Sequence, residues 1–325
     1  MKVFLTGGTG FIGSYVALEL VKHGHQVTLL ARNPNKVPAL TNISQLDIVA
    51  GDLTDTLLLK DIVAGHEACI LVALNYTQAT GWEVLNADTG PTVFLADVAA
   101  KANVKQLIYT SSTAVHDSLY LAAEHHADPL SKQVTLQTPQ QPATFYGATK
   151  AASENYLLAQ SYRASMRINI IRPGYTFGNP VAAGASMQSD RRLYDLVRAA
   201  LHDQPLSVIK HDGTQFIWAG DLARLYLAVL HSAVNRKTYF GLSKQWVSWQ
   251  ALAQAAIEKC RSRSPIQVED KGWEAEGLVW DVSDMKRDFG LEFEPWNRLL
   301  EHLAYLIDRE RQIETAHGAS PEPSV

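Results

Sequence analysis

The chain has 325 residues, 46% of them hydrophobic and 19% charged, which suits one large, well-packed domain with a smaller appendage and argues against disorder. A net charge of -4, a pI near 6.3 and no run of basic residues leave no electrostatic footprint for nucleic acid. The only two cysteines, Cys69 and Cys260, lie far apart without a spacing pattern, so neither a disulfide framework nor a thiolate metal site is expected.

The chain opens on MKVFLTGGTGFIG. The apolar run is too short for a signal peptide, and no segment approaches the ~18 apolar residues of a membrane-spanning helix. A soluble, cytoplasmic chain with no membrane partner is therefore expected. Lys2 to Thr6 reads as a strand, and Phe11 to about His23 as a helix with Val16, Leu20 and Val21 on one face. Between them, TGGTGFIG spaces Gly7, Gly10 and Gly13 three apart. Glycines there let a strand turn sharply into a helix whose free amides and positive dipole end face a pyrophosphate.

Gln26 to Ala31 reads as the next strand. An acidic residue at its end would hydrogen-bond an adenosine ribose and select NAD. Ala31 stands there instead, followed by Arg32, and a cation suits a 2'-phosphate. NADP(H) is therefore favoured over NAD(H). Leu46 to Ala50 is a third strand, and Asp52 and Leu53 after it are placed to flank the adenine. A helix over Thr56 to about Val63, a strand over Ala68 to Ala73, a helix over about Val84 to Lys101, a strand over Gln106 to Ser111, a helix over Tyr146 to about Tyr162 and a strand over Arg167 to Arg172 continue the alternation. That rhythm indicates a parallel sheet with helices on both faces, and the apolar strands VTLL, CILVAL and INII fit burial on both sides.

Within TFYGATKAASEN, Tyr146 and Lys150 are four apart and share a helix face, so a phenol and an ammonium point at one spot. After residue 172 glycine, proline and aromatic residues become denser. Helices are expected at about Asp190 to Leu201, Asp221 to His231, Trp249 to Cys260 and Pro295 to Asp308. This gives a dinucleotide-binding domain over 1–172 and a smaller lobe over 173–310 interleaved with the end of the sheet. The polar stretch 311–325 reads as a disordered tail. The adjacent His125 and His126 point in different directions with no third ligand spaced nearby, so no metal site is expected.

TGGTGFIG, YTSSTAV (109–115), YGATK (146–150), RPGYTFG (172–178) and IWAGDLARLYLAVL (217–230), in that order, strongly resemble the extended short-chain dehydrogenase/reductases, also called the NAD-dependent epimerase/dehydratase family. The resemblance covers residues 1 to about 310. It implies a Rossmann-type doubly wound parallel sheet (α/β) with a smaller C-terminal substrate-binding lobe. It also implies a catalytic set in which Ser112 binds the substrate oxygen, Tyr146 exchanges the proton and Lys150 holds the nicotinamide ribose. A free tyrosine titrates near 10, and bringing it near 7 needs roughly 4 kcal/mol. One positive charge about 4 Å away at an effective dielectric near 20 supplies a similar amount. By the same resemblance Thr9, Phe11, Ile12, Val72, Ala73, Leu74, Asn86, Thr110, Pro173 and Tyr175 join Gly7, Gly10, Gly13, Arg32, Asp52 and Leu53 as cofactor contacts. Tyr76, Trp82, Thr113, Tyr175 and Trp218 become substrate contacts, with Phe145 and Phe177 on the same aromatic rim. Relatives pair two helices across a two-fold axis, so a homodimer is expected.

The pattern also departs from the family. Tyr175 stands where nucleotide-sugar enzymes commonly carry an asparagine, and HDGTQFIWAG lacks their diphosphate-binding arginine. The family's Asn-x-x-Gly-Thr appears as NADTG with Thr89 and Gly90 reversed, and His116 replaces a tyrosine. The main expectation is an NAD(P)-dependent oxidoreductase acting on a carbonyl or alcohol of a small, non-nucleotide substrate. The first alternative is an NAD-dependent nucleotide-sugar epimerase or dehydratase. The second is a non-catalytic NADP-sensing regulator, a class that often loses the tyrosine or lysine retained here.

Overall fold

The structure, a computed structural model, describes residues 1–74, 80–120, 133–273 and 276–318. Seven strands, β1 (Lys2–Thr6), β2 (Gln26–Ala31), β3 (Leu46–Ala50), β4 (Ala68–Leu71), β5 (Gln106–Thr110), β6 (Arg167–Pro173) and β7 (Thr238–Gly241), form one sheet in the order β7-β6-β5-β4-β1-β2-β3. Every neighbouring pair in it is parallel. The strand order reverses between β1 and β4, so a crevice opens beyond their carboxyl ends. Val3 lies in register between Val27 and Ala68, and the middle strands are buried on both faces, as their unbroken apolar runs require.

One face of the sheet is covered by α1 (Phe11–Lys22) and the other by α2 (Thr56–Val63), α3 (Gly90–Lys101) and α4 (Phe145–Ser161). Val16 and Leu20 of α1 pack with Leu222 and Tyr226 of a later helix, α6 (Ala219–His231). On the opposite face Leu59, Leu95, Ala99 and Leu157 close over β4 and β5. Side chains fix where several helices begin. Asp55 accepts from the Leu58 amide at the start of α2, and Thr144 accepts from the Gly147 amide at the start of α4, both at 3.0 Å.

Beyond β6 the chain leaves the sheet, builds α5 (Arg192–Leu201), returns with α6 and β7, and leaves again for α7 (Trp249–Cys260) and α8 (Trp296–Gly318). Leu193, Val197, Leu252, Leu299 and Leu303 form the separate core of this lobe around Phe177 and Phe216. The terminal helix runs eight residues into the stretch expected to be a tail, to Gly318. Its Leu299, Leu303, Leu306 and Ile307 are buried while residues 311–315 are exposed, so the apolar stripe anchors one end and helix propensity carries the other. Residues 319–325, and the His125-His126 pair, lie outside the described residues. Among the described residues no helix is long and apolar enough to cross a membrane.

Candidate active site

The glycine turn is built as its spacing requires. Gly7 has φ +73°, and a Cβ on it would lie 2.7 Å from the Ala73 nitrogen. On Gly13 a Cβ would lie 2.1 Å from the Gly7 carbonyl oxygen. Neither position tolerates a side chain without moving backbone. Helix α1 starts after Gly10 with no side-chain cap and no acid in its first turn, so its first amides remain available to an anion.

A cleft of about 660 Å³ runs from this turn along the carboxyl ends of the strands. Gly7, Thr9, Gly10, Phe11, Ile12 and Gly13 form its floor. Arg32, Asp52 and Leu53 line one end, Val72, Ala73 and Leu74 the middle, and Thr110, Ser112, Tyr146, Lys150, Pro173 and Tyr175 the other. These are all of the cofactor and catalytic residues expected from the sequence except Asn86. Asn86 is exposed and turns its amide back to donate to the Trp82 carbonyl oxygen at 2.8 Å. The cause is a π-helical turn over Leu85–Thr89. The segment written NADTG is thus no simple transposition of Thr and Gly, because an extra residue is wound into the helix. The lining also includes Lys36, Ser111 and Ser186 to Asp190, which the sequence reading missed. Residues 186–190 carry no motif. They reach the cleft because Ala182 and Ala185 pack on the core beneath it and Lys36 donates to Ser186 Oγ at 3.0 Å.

The catalytic candidates converge. Ser112 Oγ accepts from the Ala114 amide at 3.1 Å, which fixes the side chain and leaves its hydroxyl proton free to point into the cleft. The Ser111 hydroxyl oxygen, also lining the cleft, is buried without a hydrogen-bond partner among the described residues. Tyr146 and Lys150 lie one turn apart on α4, with Lys150 Nζ 6.0 Å from the Tyr146 ring centroid. Lys150 is 2% exposed. Its ammonium lies 3.4 Å from Asp88 Oδ2 and 5.1 Å from the Tyr109 ring centroid. Burial works to lower its pKa, but Tyr109, Asp88 and Tyr146 outweigh burial and raise it above the ordinary lysine value. Burial also pushes the Tyr109 phenol up to about 12.

Behind this group lies a second buried ion pair. Arg172 grips Glu154 of α4 through Nε (2.9 Å) and Nη2 (2.6 Å) and donates from Nη1 to His116 Nε2 (3.0 Å). His116 in turn donates from Nδ1 to the Pro139 carbonyl oxygen at 3.0 Å. Burial, then Arg172, lowers the imidazole pKa, so His116 is the neutral acceptor that an arginine needs. The histidine that replaces the family's tyrosine therefore joins the serine loop to β6 and, through Arg172 and Glu154, to α4.

Of the aromatic rim, only Tyr175 lines the cleft among the described residues. Its ring packs on Phe216 and Trp249 beneath the Arg192 guanidinium. Trp82 is 71% exposed and Phe145 55% exposed, and neither lines the cleft. Trp218 lies between Tyr15 and the Arg298 guanidinium, Phe177 is fully buried in the lobe core, and Thr113 is buried behind Ser112. Tyr76 lies outside the described residues. Substrate contacts through Trp82, Thr113 and Trp218 therefore do not follow from the structure. Away from the cleft, His202, Glu310 and Glu314 bring donor atoms within 4.8 Å of one another. There Glu310 already holds the Tyr194 hydroxyl and lies 3.5 Å from Arg198 Nε.

The sequence model of the NAD dependent epimerase/dehydratase family matches residues 3–240. The chain belongs to this family. Other family proteins are similar to it over differing lengths. A 3 beta-hydroxysteroid dehydrogenase/Delta 5-->4-isomerase of Mycobacterium tuberculosis is 28% identical over 186 residues, 55% of this chain and 48% of that protein. The match thus spans about half the length of that relative. A probable UDP-arabinose 4-epimerase of Oryza sativa is 28% identical over 299 residues, 82% of this chain and 68% of that protein. Among solved structures, the Bordetella bronchiseptica enzyme WbmH in complex with NAD+ superposes with a TM-score of 0.73 at 23% identity, covering 95% of this chain and 98% of that one. That likeness establishes the Rossmann-like fold of the family.

Proposed function

We propose that this epimerase/dehydratase family member oxidises and re-reduces a secondary alcohol on a nucleotide-linked sugar, using a dinucleotide held in the cleft. The observation that carries this reading is the meeting of Ser112, Tyr146 and Lys150 at one end of the cleft whose floor is the Gly7–Gly13 turn. A similarity to a UDP-sugar epimerase over 82% of the chain supports the substrate class. The uncapped start of α1 and the two glycine positions that exclude a Cβ fit a pyrophosphate. A nicotinamide dinucleotide bound there would supply the hydride acceptor and donor. Arg32 and Lys36 would face its adenosine end, and Lys150 its nicotinamide ribose. Ser112 would hold the substrate oxygen by donating its hydroxyl proton, and Tyr146 would take the alcohol proton and later return it.

The reading is tested by incubating the purified chain with UDP-glucose and UDP-arabinose and resolving the products by chromatography. An epimer or dehydrated sugar that disappears in Tyr146→Phe is expected. Native mass spectrometry of the untreated protein adds a separate readout, since an enzyme that recycles its cofactor in place retains it.

A second reading, an NADP-dependent carbonyl reductase acting on a non-nucleotide substrate, is favoured by two features of the cleft. Arg32 and Lys36 line the cleft with no carboxylate at the end of β2, and Tyr175 stands in the sequence where nucleotide-sugar enzymes commonly carry an asparagine. Similarity to a hydroxysteroid dehydrogenase over 55% of the chain points the same way. NADPH-dependent reduction of a carbonyl panel, without turnover of either UDP-sugar, would select it. In both readings a homodimer through α3 and α4 is part of the proposal, supported by exposed Tyr156 and Leu158 on α4.

A further inference from the structure

We propose that Asp88 is a positioning residue of the active site: the fixed counter-ion that keeps the buried Lys150 charged and aimed, delivered there by the π-helical turn before α3. The proposal rests on the oxidoreductase reading for its purpose, but its physical content concerns Lys150 alone.

The carboxylate is 1% exposed and the ammonium 2% exposed, with 3.4 Å between Oδ2 and Nζ. A lysine so buried loses most of its hydration, and it stays protonated only if its surroundings replace that water. The groups acting on it come from four elements: Tyr109 on β5, Tyr146 on its own helix α4, Tyr226 on α6, and Asp88. Three of them are phenols. Asp88 is the only carboxylate among them, and it lies in ion-pair distance of Nζ.

The backbone shows how Asp88 is held. Leu85–Thr89 is wound with i→i+5 bonds, which turns Asp88 and Thr89 inward while Asn86 stays at the surface. Thr89 Oγ1 donates to the Thr149 carbonyl oxygen at 3.2 Å, and Ser153 Oγ donates to Thr89 Oγ1 at 3.4 Å. The bulged turn is thus fastened to α4 one residue before Lys150 and three residues after it. Asp88, next to Thr89, is carried to the ammonium by those two contacts.

The test reads Lys150 directly and needs no substrate. Wild type, Asp88→Asn and Asp88→Glu are labelled with acetic anhydride across a pH series, and acetylation at Lys150 is followed by peptide mass spectrometry. Only the neutral amine reacts, so the pH at half-labelling reports its charge. In Asp88→Asn the half-labelling pH at Lys150 is expected to fall by about one unit or more, with Asp88→Glu returning toward wild type. NADH affinity of Asp88→Asn should fall over the same pH range. An unchanged half-labelling pH in Asp88→Asn overturns the proposal. If Asp88→Asn does not fold, the wild-type chain decides: Lys150 titrating above the surface lysines in NMR of the labelled amine supports the proposal, and titrating below them overturns it. Failure here leaves the reaction class standing, because that reading is lost only if Tyr146→Phe still turns over substrate.

Discussion

At the scale of single residues, the chemistry proposed for the cleft depends on one proton and one phosphate. Tyr146→Phe removes the phenol and little else, so turnover should fall by about 10²- to 10⁴-fold while NADH affinity, read by fluorescence titration, stays near wild type. Arg32→Ala should weaken NADPH about tenfold and leave NADH nearly unchanged, because a charge-assisted hydrogen bond contributes about 1.5–3 kcal/mol. Equal losses would assign Arg32 no role in cofactor choice. Tyr146, Lys150 and the glycines were legible in the sequence from their spacing, since four residues make one helix turn and three glycines one strand-to-helix turn, whereas Ser112 was reached only through the family resemblance of YTSSTAV. Asp88 was not legible. Its placement depends on a local change of helix type, and no residue in NADTG announces one. The aromatic rim failed for a related reason. Trp218 and Phe177 carry enough apolar surface to be drawn into the lobe core, and a sequence does not say which way a ring on a short strand will face.

At the scale of elements, two joints hold the site open and in place. The first is the β1–α1 turn. Gly13→Ala would place a methyl 2.1 Å from the Gly7 carbonyl oxygen, so the turn must move. Dinucleotide binding should be lost, and the urea midpoint should drop, while far-ultraviolet circular dichroism keeps its shape. The second is the Arg172–Glu154–His116 group beneath α4. Both ionised side chains are at most 7% exposed. Glu154→Ala would strand a buried guanidinium and should cost about 3–5 kcal/mol in equilibrium unfolding. Strand and helix positions were read well from pattern, since alternating units of buried strand and half-buried helix leave a strong apolar rhythm. The exceptions are the π-helical break in the helix expected over about 84–101, the edge strand β7 and a helix over Ser283–Phe289, which no pattern singled out, and the end of α8. Residues 311–315 are exposed and mostly polar, Ile313 excepted, a composition that reads equally well as a tail.

At the scale of the whole molecule, one buried histidine ties the terminal helix to the cleft-lining segment of the lobe. His302 on α8 donates from Nδ1 to Asn179 Oδ1 at 2.6 Å and accepts at Nε2 from Gln188 at 2.7 Å, and Gln188 lines the cleft. Burial holds His302 down to about 4. The folded state therefore keeps it neutral where the unfolded chain, with an ordinary histidine near 6.5, already binds a proton. Its contribution is complete above about pH 6.5 and is lost as pH falls toward 4, to a total of about 3 kcal/mol. Chemical denaturation at pH 7 and pH 5 should show this loss, and His302→Gln should flatten it.

The path of the chain has a consequence for synthesis. The glycine turn is made long before α8, yet the part of the cleft around Gln188 is pinned by His302 of that helix. The edge strand β7 joins β6 only after α5 has been laid down elsewhere. A nascent chain that has not yet reached β7 thus carries a nearly finished sheet with the β6 edge unpaired and a cleft whose Gln188 side is not yet held. If a dinucleotide binds the cleft as proposed, a chain whose Gln188 is held by His302 should gain more stability from it than a chain that stops short of α8.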